Sequence, residues 1–188
     1  MVITGLSLID SLSKEAFAKM LDNNPSCKGL LVGYMAEQIL ADKLLCLSGF
    51  KSVVKIDDQD DKKGDLDVIF RQDGVEKRFS IEVKCVRSKT GKEPPLTGGV
   101  SGNVYTGTSD SIMLEEGGRT SCSLAGAFDV LAVCMVTITG EWDFYFIHQK
   151  YMPRSDRYKN RLKPNFAINT LNTPCLHSDI FKVIEDLN

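Results

Sequence analysis

The chain has 188 residues, of which 43% are hydrophobic and 26% charged, as is typical of a single globular domain. This composition excludes a disordered or fibrous protein, and the formal net charge of −2 gives no overall basic character. The six cysteines include no CxxC pair, and there is no signal-peptide pattern and no apolar stretch of membrane-spanning length, so we expect a cytoplasmic protein without a zinc site or membrane association.

Two helices are predicted at the start of the chain. Ser13 precedes a run of helix-forming residues and is typical of an N-cap, so the first helix is expected to run to about Asp22. The Asn-Asn-Pro sequence at 23–25 ends it. A second helix is predicted from about Ser26 to Leu47, with Gly49 as its C-terminal stop.

The chain then changes to the period-two pattern of strands. The segment 51–56 is predicted to be a strand, and the polar run 57–63 a turn. Leu66–Phe70 and Arg78–Lys84 are predicted to form an antiparallel hairpin through the Gln-Asp-Gly sequence at 72–74.

A Gly-rich segment, 86–118, is interpreted as a long loop of the kind that is commonly functional. The apolar run 128–137 predicts a buried central strand of the same sheet, and 142–147 a further strand. Beyond Met152 the chain is basic at first and is predicted to end in a short helix near 180–187.

This order of elements predicts an α/β or α+β fold, with one mixed β-sheet flanked by helices. We expect a single domain over residues 1–188, with a core at about 26–150 and a C-terminal extension at 151–188.

Acidic residues and a lysine are predicted to meet on the hairpin. Strand alternation places Glu82 and Lys84 on one side, and the turn can bring Asp67 level with Glu82. Hard cations such as Mg²⁺ often use one or two carboxylates together with substrate phosphates. The alternative is an ordinary solvated sheet face, of which a Glu-x-Lys sequence is equally typical.

The order of these residues resembles the PD-(D/E)XK nuclease superfamily, whose fold is restriction endonuclease-like. The resemblance rests on an upstream helix bearing Glu37, the Gly-x-x-Asp sequence at 64–67 and the Glu-Val-Lys sequence at 82–84. It implies a Mg²⁺-dependent enzyme, with Mn²⁺ as a substitute, in which Asp67, Glu82 and the Val83 main-chain carbonyl bind the metal. Lys84 would be the catalytic lysine.

Two further acids are candidate metal ligands. Asp65 competes with Asp67, but Asp67 is preferred because a core-like strand follows it directly and because it completes the Gly-x-x-Asp spacing. Glu37 is placed on an apolar helical stripe, where a carboxylate is costly unless it is paired or bound to metal. Glu37 is therefore predicted to point toward the cluster; the alternative is a helix that is apolar nearly all round.

Three basic residues are candidates for DNA contacts. Arg87 and Lys89 follow the Glu-Val-Lys strand, and Arg119 lies in a segment leading to the buried strand. The functional expectation is a restriction-type DNA endonuclease that acts as a homodimer. The alternatives are a structure-specific repair or junction nuclease and a catalytically silent DNA-binding module of the same fold.

Overall fold

The computed structural model describes residues 13–56, 64–87, 100–107, 112–114 and 118–187. The chain divides into two compact units, one ending at Met35 and the other starting at Ala36. All residues of the candidate site belong to the second unit. No helix within the described ranges is both long enough and apolar enough to span a membrane.

The secondary structure comprises four α-helices and nine strands within the described residues. The helices are α1 (Lys14–Asn23), α2 (Pro25–Leu45), α3 (Val136–Thr139) and α4 (Phe181–Ile184), with a 3-10 turn at Gln149–Tyr151. The strands are β1 (Phe50–Lys55), β2 (Leu66–Gln72), β3 (Val75–Cys85), β4 (Ser101–Tyr105), β5 (Ile112–Met113), β6 (Arg119–Thr120), β7 (Val130–Cys134), β8 (Phe144–His148) and β9 (Asn165–Asn169).

The two predicted N-terminal helices are confirmed. The Ser13 side chain accepts a hydrogen bond from Ala16 N at 3.1 Å and so caps α1. Helix α2 begins at Pro25, a residue suited to a first helical position because its missing N–H would have no partner there. It ends at Leu45, two residues before the predicted end.

Five strands form a mixed sheet in the order β1-β2-β3-β7-β8. Strands β2 and β3 pair antiparallel, with Leu66 opposite Ile81, while β3 and β7 run parallel. Asp73 and Gly74 form the hairpin turn with positive φ values of 52° and 80°. The α+β fold class, the hairpin and the shared sheet with β7 are thus confirmed.

A hydrophobic core lies on each face of this sheet. One contains apolar side chains of α2 and α4 and the inward side chains of β2 and β3; the other packs β4 and β9 against β7 and β8. The segment predicted to be a C-terminal extension contributes Phe166 and Ile168 to one core and Val183 and Ile184 to the other.

The structure corrects two predicted segments. The region 86–118 is not a continuous loop, because it contains β4, which pairs antiparallel with β9 in the C-terminal region. The strand predicted over 128–137 ends at Cys134, and α3 follows it. The turn predicted at 57–63 lies outside the described residues.

Candidate active site

Asp65, Glu82 and Lys84 meet where β2 begins and β3 ends; we call these three residues the carboxylate–lysine cluster. Glu82 follows Ile81, the partner of Leu66, so the antiparallel register puts it opposite Asp65. Lys84 Nζ lies 2.7 Å from Glu82 Oε1 and 3.5 Å from Asp65 Oδ2. One ammonium group therefore contacts carboxylates from two neighbouring strands.

The local backbone determines the position of Asp65. Gly64 has a φ of +72°, and a Cβ added there would lie 2.9 Å from the Ile81 carbonyl oxygen. Asp65 N donates to the same oxygen at 2.8 Å, and Asp65 Oδ2 accepts from Val83 N at 2.7 Å. A glycine is required for this close approach, and the two hydrogen bonds bind Asp65 to β3.

Glu37 on α2 lies next to the cluster. It is only 7% exposed. Its Oε2 lies 2.7 Å from Lys55 Nζ and forms an ion pair with it, but the geometry of this contact is not that of a hydrogen bond. Burial raises the pKa of Glu37, assisted by the charge of Asp65 and opposed by Lys55 and Lys84. Glu37 thus points away from solvent and interacts electrostatically with the cluster.

Burial and charge also shift the titration of the cluster. Burial, helped by the neighbouring charges of Asp65 and Glu37, raises the pKa of Glu82, although Lys84 opposes it. Burial alone would lower the pKa of Lys84, but the carboxylates of Glu82 and Asp65 outweigh it and raise that pKa. The Lys84 ammonium is therefore charged throughout the neutral pH range.

The structure does not bring Asp67 into the cluster. Asp67 is opposite Ser80, two residue pairs further along the hairpin than Asp65 and Glu82, and its carboxylate forms an ion pair with Arg78 at 2.5 Å. Asp65, the competing candidate, takes the place beside Glu82 and Lys84. Asp65 precedes the first residue of β2, so it does not belong to the regular strand that contains Asp67.

The three basic candidates have different surroundings. Arg87 is exposed, and its guanidinium lies over the ring of Tyr105 at 4.6 Å from the centroid. Arg119 is exposed on β6, where its Nε donates to Met113 Sδ at 3.3 Å, a contact made outside the cluster. Lys89 lies outside the described residues.

Lys55, the ion-pair partner of Glu37, is a neighbour of the cluster that the sequence pattern does not single out. Lys55 is the last residue of β1, and the alternating pattern of that strand does not distinguish it from other solvent-facing lysines. The sequence signal that could have identified Lys55 is its partner Glu37, because a buried carboxylate needs a counter-charge. Among the described residues, the cluster together with Glu37 and Lys55 contains three carboxylates and two ammonium groups.

The donor set suits a hard divalent cation. Among the described residues, no three His, Cys, Asp or Glu side chains are grouped to ligate one ion. Mg²⁺ does not require such a group, because it commonly binds one or two carboxylates and keeps water or substrate oxygens as its other ligands. The side chains of Asp65 and Glu82 are each 18% exposed, so both remain within reach of an entering ion.

The comparisons with known proteins give one similar structure. No family model matches the chain, and no curated protein matches it. Among solved structures, it is similar to a bacterial homing endonuclease, I-Ssp6803I, with 16% sequence identity and a TM-score of 0.40. The similarity covers 73% of this chain and 76% of that chain. A likeness at this level assigns neither a family nor an activity.

Proposed function

We propose that this protein is a divalent-metal-dependent DNA endonuclease, with the carboxylate–lysine cluster as its active site. The observation that carries the proposal is the contact of Lys84 Nζ with both Glu82 and Asp65, at 2.7 and 3.5 Å. Carboxylate oxygens suit a hard cation, and an adjacent ammonium can stabilise negative charge on a phosphate. These are the residue types that the resemblance implies, with Asp65 in the place expected for Asp67.

Asp65 and Glu82 would hold Mg²⁺ or Mn²⁺, with Glu37 adding negative charge behind them. The Val83 N–H points toward Asp65, and in a strand the carbonyl of the same residue points to the same edge, so the Val83 oxygen joins the proposed ligands. A bound divalent cation would lower the pKa of a water molecule and offset charge developing on the phosphate.

Lys84 is assigned an electrostatic role in phosphodiester hydrolysis. A water oxygen forms a bond to phosphorus and gives up one proton, the bond to the leaving sugar oxygen breaks, and that oxygen takes up one proton. Because its pKa is raised, Lys84 is poorly suited to remove a proton from water. It is well suited to stabilise the negative charge of the phosphate oxygens as the bond order changes.

Within this proposal, a restriction-type role is the first choice and a structure-specific nuclease the alternative. The two differ in product pattern. A restriction-type enzyme gives discrete fragments from plasmid DNA, whereas a structure-specific enzyme cuts branched or flapped duplexes and spares the plasmid. The expected homodimer is a separate prediction, which the molar mass of the purified protein in solution tests.

The function is tested by incubating the full chain with plasmid DNA, single-stranded DNA, a branched duplex and RNA. Each substrate is presented with Mg²⁺, with Mn²⁺ and with a chelator. We expect cleavage of DNA with either metal and none with the chelator. A lack of cleavage of every substrate in both metals would overturn the proposal and favour a silent DNA-binding module.

A matched pair of variants separates this site from a contaminating nuclease. Glu82→Gln removes one carboxylate of the cluster, whereas Glu76→Gln makes the same change at an exposed position of the same strand. We expect Glu82→Gln to lower the cleavage rate by about a hundredfold to a thousandfold. Glu76→Gln should cut at the parent rate. Equal rates for both variants would place the active site elsewhere.

A further inference from the structure

Strands β4 and β9 form a two-stranded antiparallel ribbon, separate from the main sheet. Its inner face carries Val104, Phe166 and Ile168, which are buried in one of the two cores. Gly102 lets the ribbon approach the end of β3 closely, because a Cβ added there would lie 2.2 Å from a Val86 methyl carbon. The ribbon is therefore fixed to the strand that carries Glu82 and Lys84.

The outer face of the ribbon is polar. Alternation places Ser101, Asn103 and Tyr105 of β4 on this face, opposite Asn169, Ala167 and Asn165 of β9. Asn165 and Ala167 are exposed, and the three β4 residues are partly exposed. This face has no aliphatic side chain larger than alanine, so it does not resemble a surface that packs against an apolar partner.

Two amides on this face are available to a ligand. Within the described part of the chain, the side chains of Asn103 and Asn165 form no hydrogen bond. By contrast, Asn169 is used internally: it donates to Ser101 Oγ at 2.7 Å and accepts from Leu171 N at 2.9 Å. The ribbon thus presents two asparagine side chains without internal partners next to a third that stabilises its end.

Arg87 joins the ribbon to the cluster. It lies three residues beyond Lys84, and its main-chain N–H donates to the Asn103 carbonyl at 3.1 Å. Its guanidinium lies 4.6 Å from the ring centroid of Tyr105, on the outer face. A positive charge is thereby held beside Tyr105, at the end of the ribbon where Tyr105 pairs with Asn165.

A basic segment, 154–163, borders the same end of the ribbon. Its link is direct, because Thr106 N donates to the Pro164 carbonyl at 2.9 Å. Arg157, Lys159 and Lys163 are exposed, and the segment contains a single acid, Asp156, which pairs with Lys163 at 3.6 Å. Positive charge from Arg87 and from the basic segment therefore lies at the end of the polar face where Tyr105 pairs with Asn165, and it is complementary to a phosphate backbone.

We propose that the outer face of the ribbon enters the major groove of duplex DNA, where Asn103 and Asn165 contact base edges. Arg87 and the basic segment then contact phosphates. The inference rests on the proposed function, since it takes the substrate to be DNA. It goes beyond that function by naming the surface that recognises the base sequence.

The groove geometry favours this occupant. The major groove of B-form DNA is about 12 Å wide and admits a two-stranded ribbon, and asparagine can form paired hydrogen bonds with adenine there. The major groove of A-form RNA is too deep and narrow for side chains to read. A ribbon of polar side chains with positive charge at one end therefore fits double-stranded DNA better than double-stranded RNA.

The test is selection from a pool of randomised DNA duplexes by the full chain, in a chelator so that no cleavage occurs. The parent protein should enrich a sequence preference. Asn103→Ala and Asn165→Ala should each alter the preference at specific base positions and weaken binding of the favoured duplex about five- to a hundredfold. Gln72→Ala, which removes an exposed amide at the end of β2 beside the first residue of β3, should change neither.

Arg87→Ala separates phosphate contacts from base contacts. It should weaken binding of all duplexes alike and reduce the slope of log affinity against log salt by about 1. Thermal unfolding of each variant checks that the fold is retained.

Three results would overturn the inference: no sequence preference in the parent protein, an unchanged preference in both asparagine variants, or equal binding of a duplex RNA of the favoured sequence. Failure of the proposed function is a different result, namely that the parent protein cuts no substrate in Mg²⁺ or Mn²⁺.

Discussion

The main-chain N–H of Val83 donates to the carboxylate of Asp65 at 2.7 Å, which connects the start of β2 to the residue between Glu82 and Lys84. The Asp65 side chain thus extends the hydrogen bonding between β2 and β3 by one bond, in which a main-chain N–H of β3 is the donor. This bond selects Asp65, rather than Asp67, as the acid beside Lys84.

The first prediction concerns the turn that precedes this bond. Gly64→Ala should destabilise the fold by about 1–3 kcal/mol, because alanine is strained at a φ of +72° and its Cβ would meet the Ile81 carbonyl. Gly74→Ala is the control: its φ of +80° is similar, but no atom lies within 4 Å of the added Cβ. Denaturant unfolding of both variants measures the difference, and an equal loss would show that the contact with Ile81 is unimportant.

The sequence predicts the hairpin better than it predicts the site. Alternating apolar residues and the Asp-Gly turn are local signals, so the sequence 66–84 alone predicts β2 and β3 as a hairpin. The choice between Asp65 and Asp67 depends instead on the φ of Gly64 and on a hydrogen bond to Val83, which alternation does not encode. The pattern of a regular strand therefore favours Asp67, the acid that pairs with Arg78 in the structure.

The ribbon illustrates a second limit of local signals. Strand β4 is short and contains glycine and asparagine, which are both depleted in strands. Its partner β9 lies far along the chain, so the pairing is stabilised by tertiary contacts of Val104 and Phe166 and not by a turn between neighbours. A Gly-rich sequence without a nearby partner is thus interpreted as a loop.

The second prediction concerns the stability of the carboxylate–lysine cluster. Lys84→Met leaves Glu82 and Asp65 largely buried without their shared counter-charge, and should cost about 1–3 kcal/mol of folding free energy. Glu82→Gln should cost less, because Asp65 still pairs with Lys84. Adding Glu82→Gln to Lys84→Met should recover part of the loss. Strict additivity in a double-mutant cycle would contradict the coupling.

The third prediction concerns His148, which caps the 3-10 turn by accepting from Lys150 N through its Nδ1 at 3.0 Å. Burial, together with the charge of Lys150, lowers the pKa of His148 from its ordinary value of 6.5. The unfolded chain therefore binds the proton more readily, and stability falls as the pH drops below about 6.5 and through the lower pKa of the folded state.

His148→Asn tests this link, because asparagine can still cap the turn but does not titrate. Stability at pH 8 should be nearly unchanged, and the loss between pH 7 and pH 5 should be smaller than in the parent protein. The pKa of His148 itself is measurable by NMR. A value above 6.5 in the folded protein would contradict the prediction.

The central claim, that Asp65 and Glu82 hold the metal while Asp67 does not, is tested most directly by comparing Asp65→Asn with Asp67→Asn. Both changes remove one carboxylate charge, and asparagine at 65 can still accept from Val83 N, so the hairpin is preserved. The measurement is Mg²⁺ affinity and DNA cleavage rate for each variant beside the parent protein. Asp65→Asn should weaken metal binding and slow cleavage by about a hundredfold to a thousandfold, whereas Asp67→Asn should leave both within a few fold of the parent. Loss of metal binding and cleavage in Asp67→Asn, with both retained in Asp65→Asn, would contradict the account.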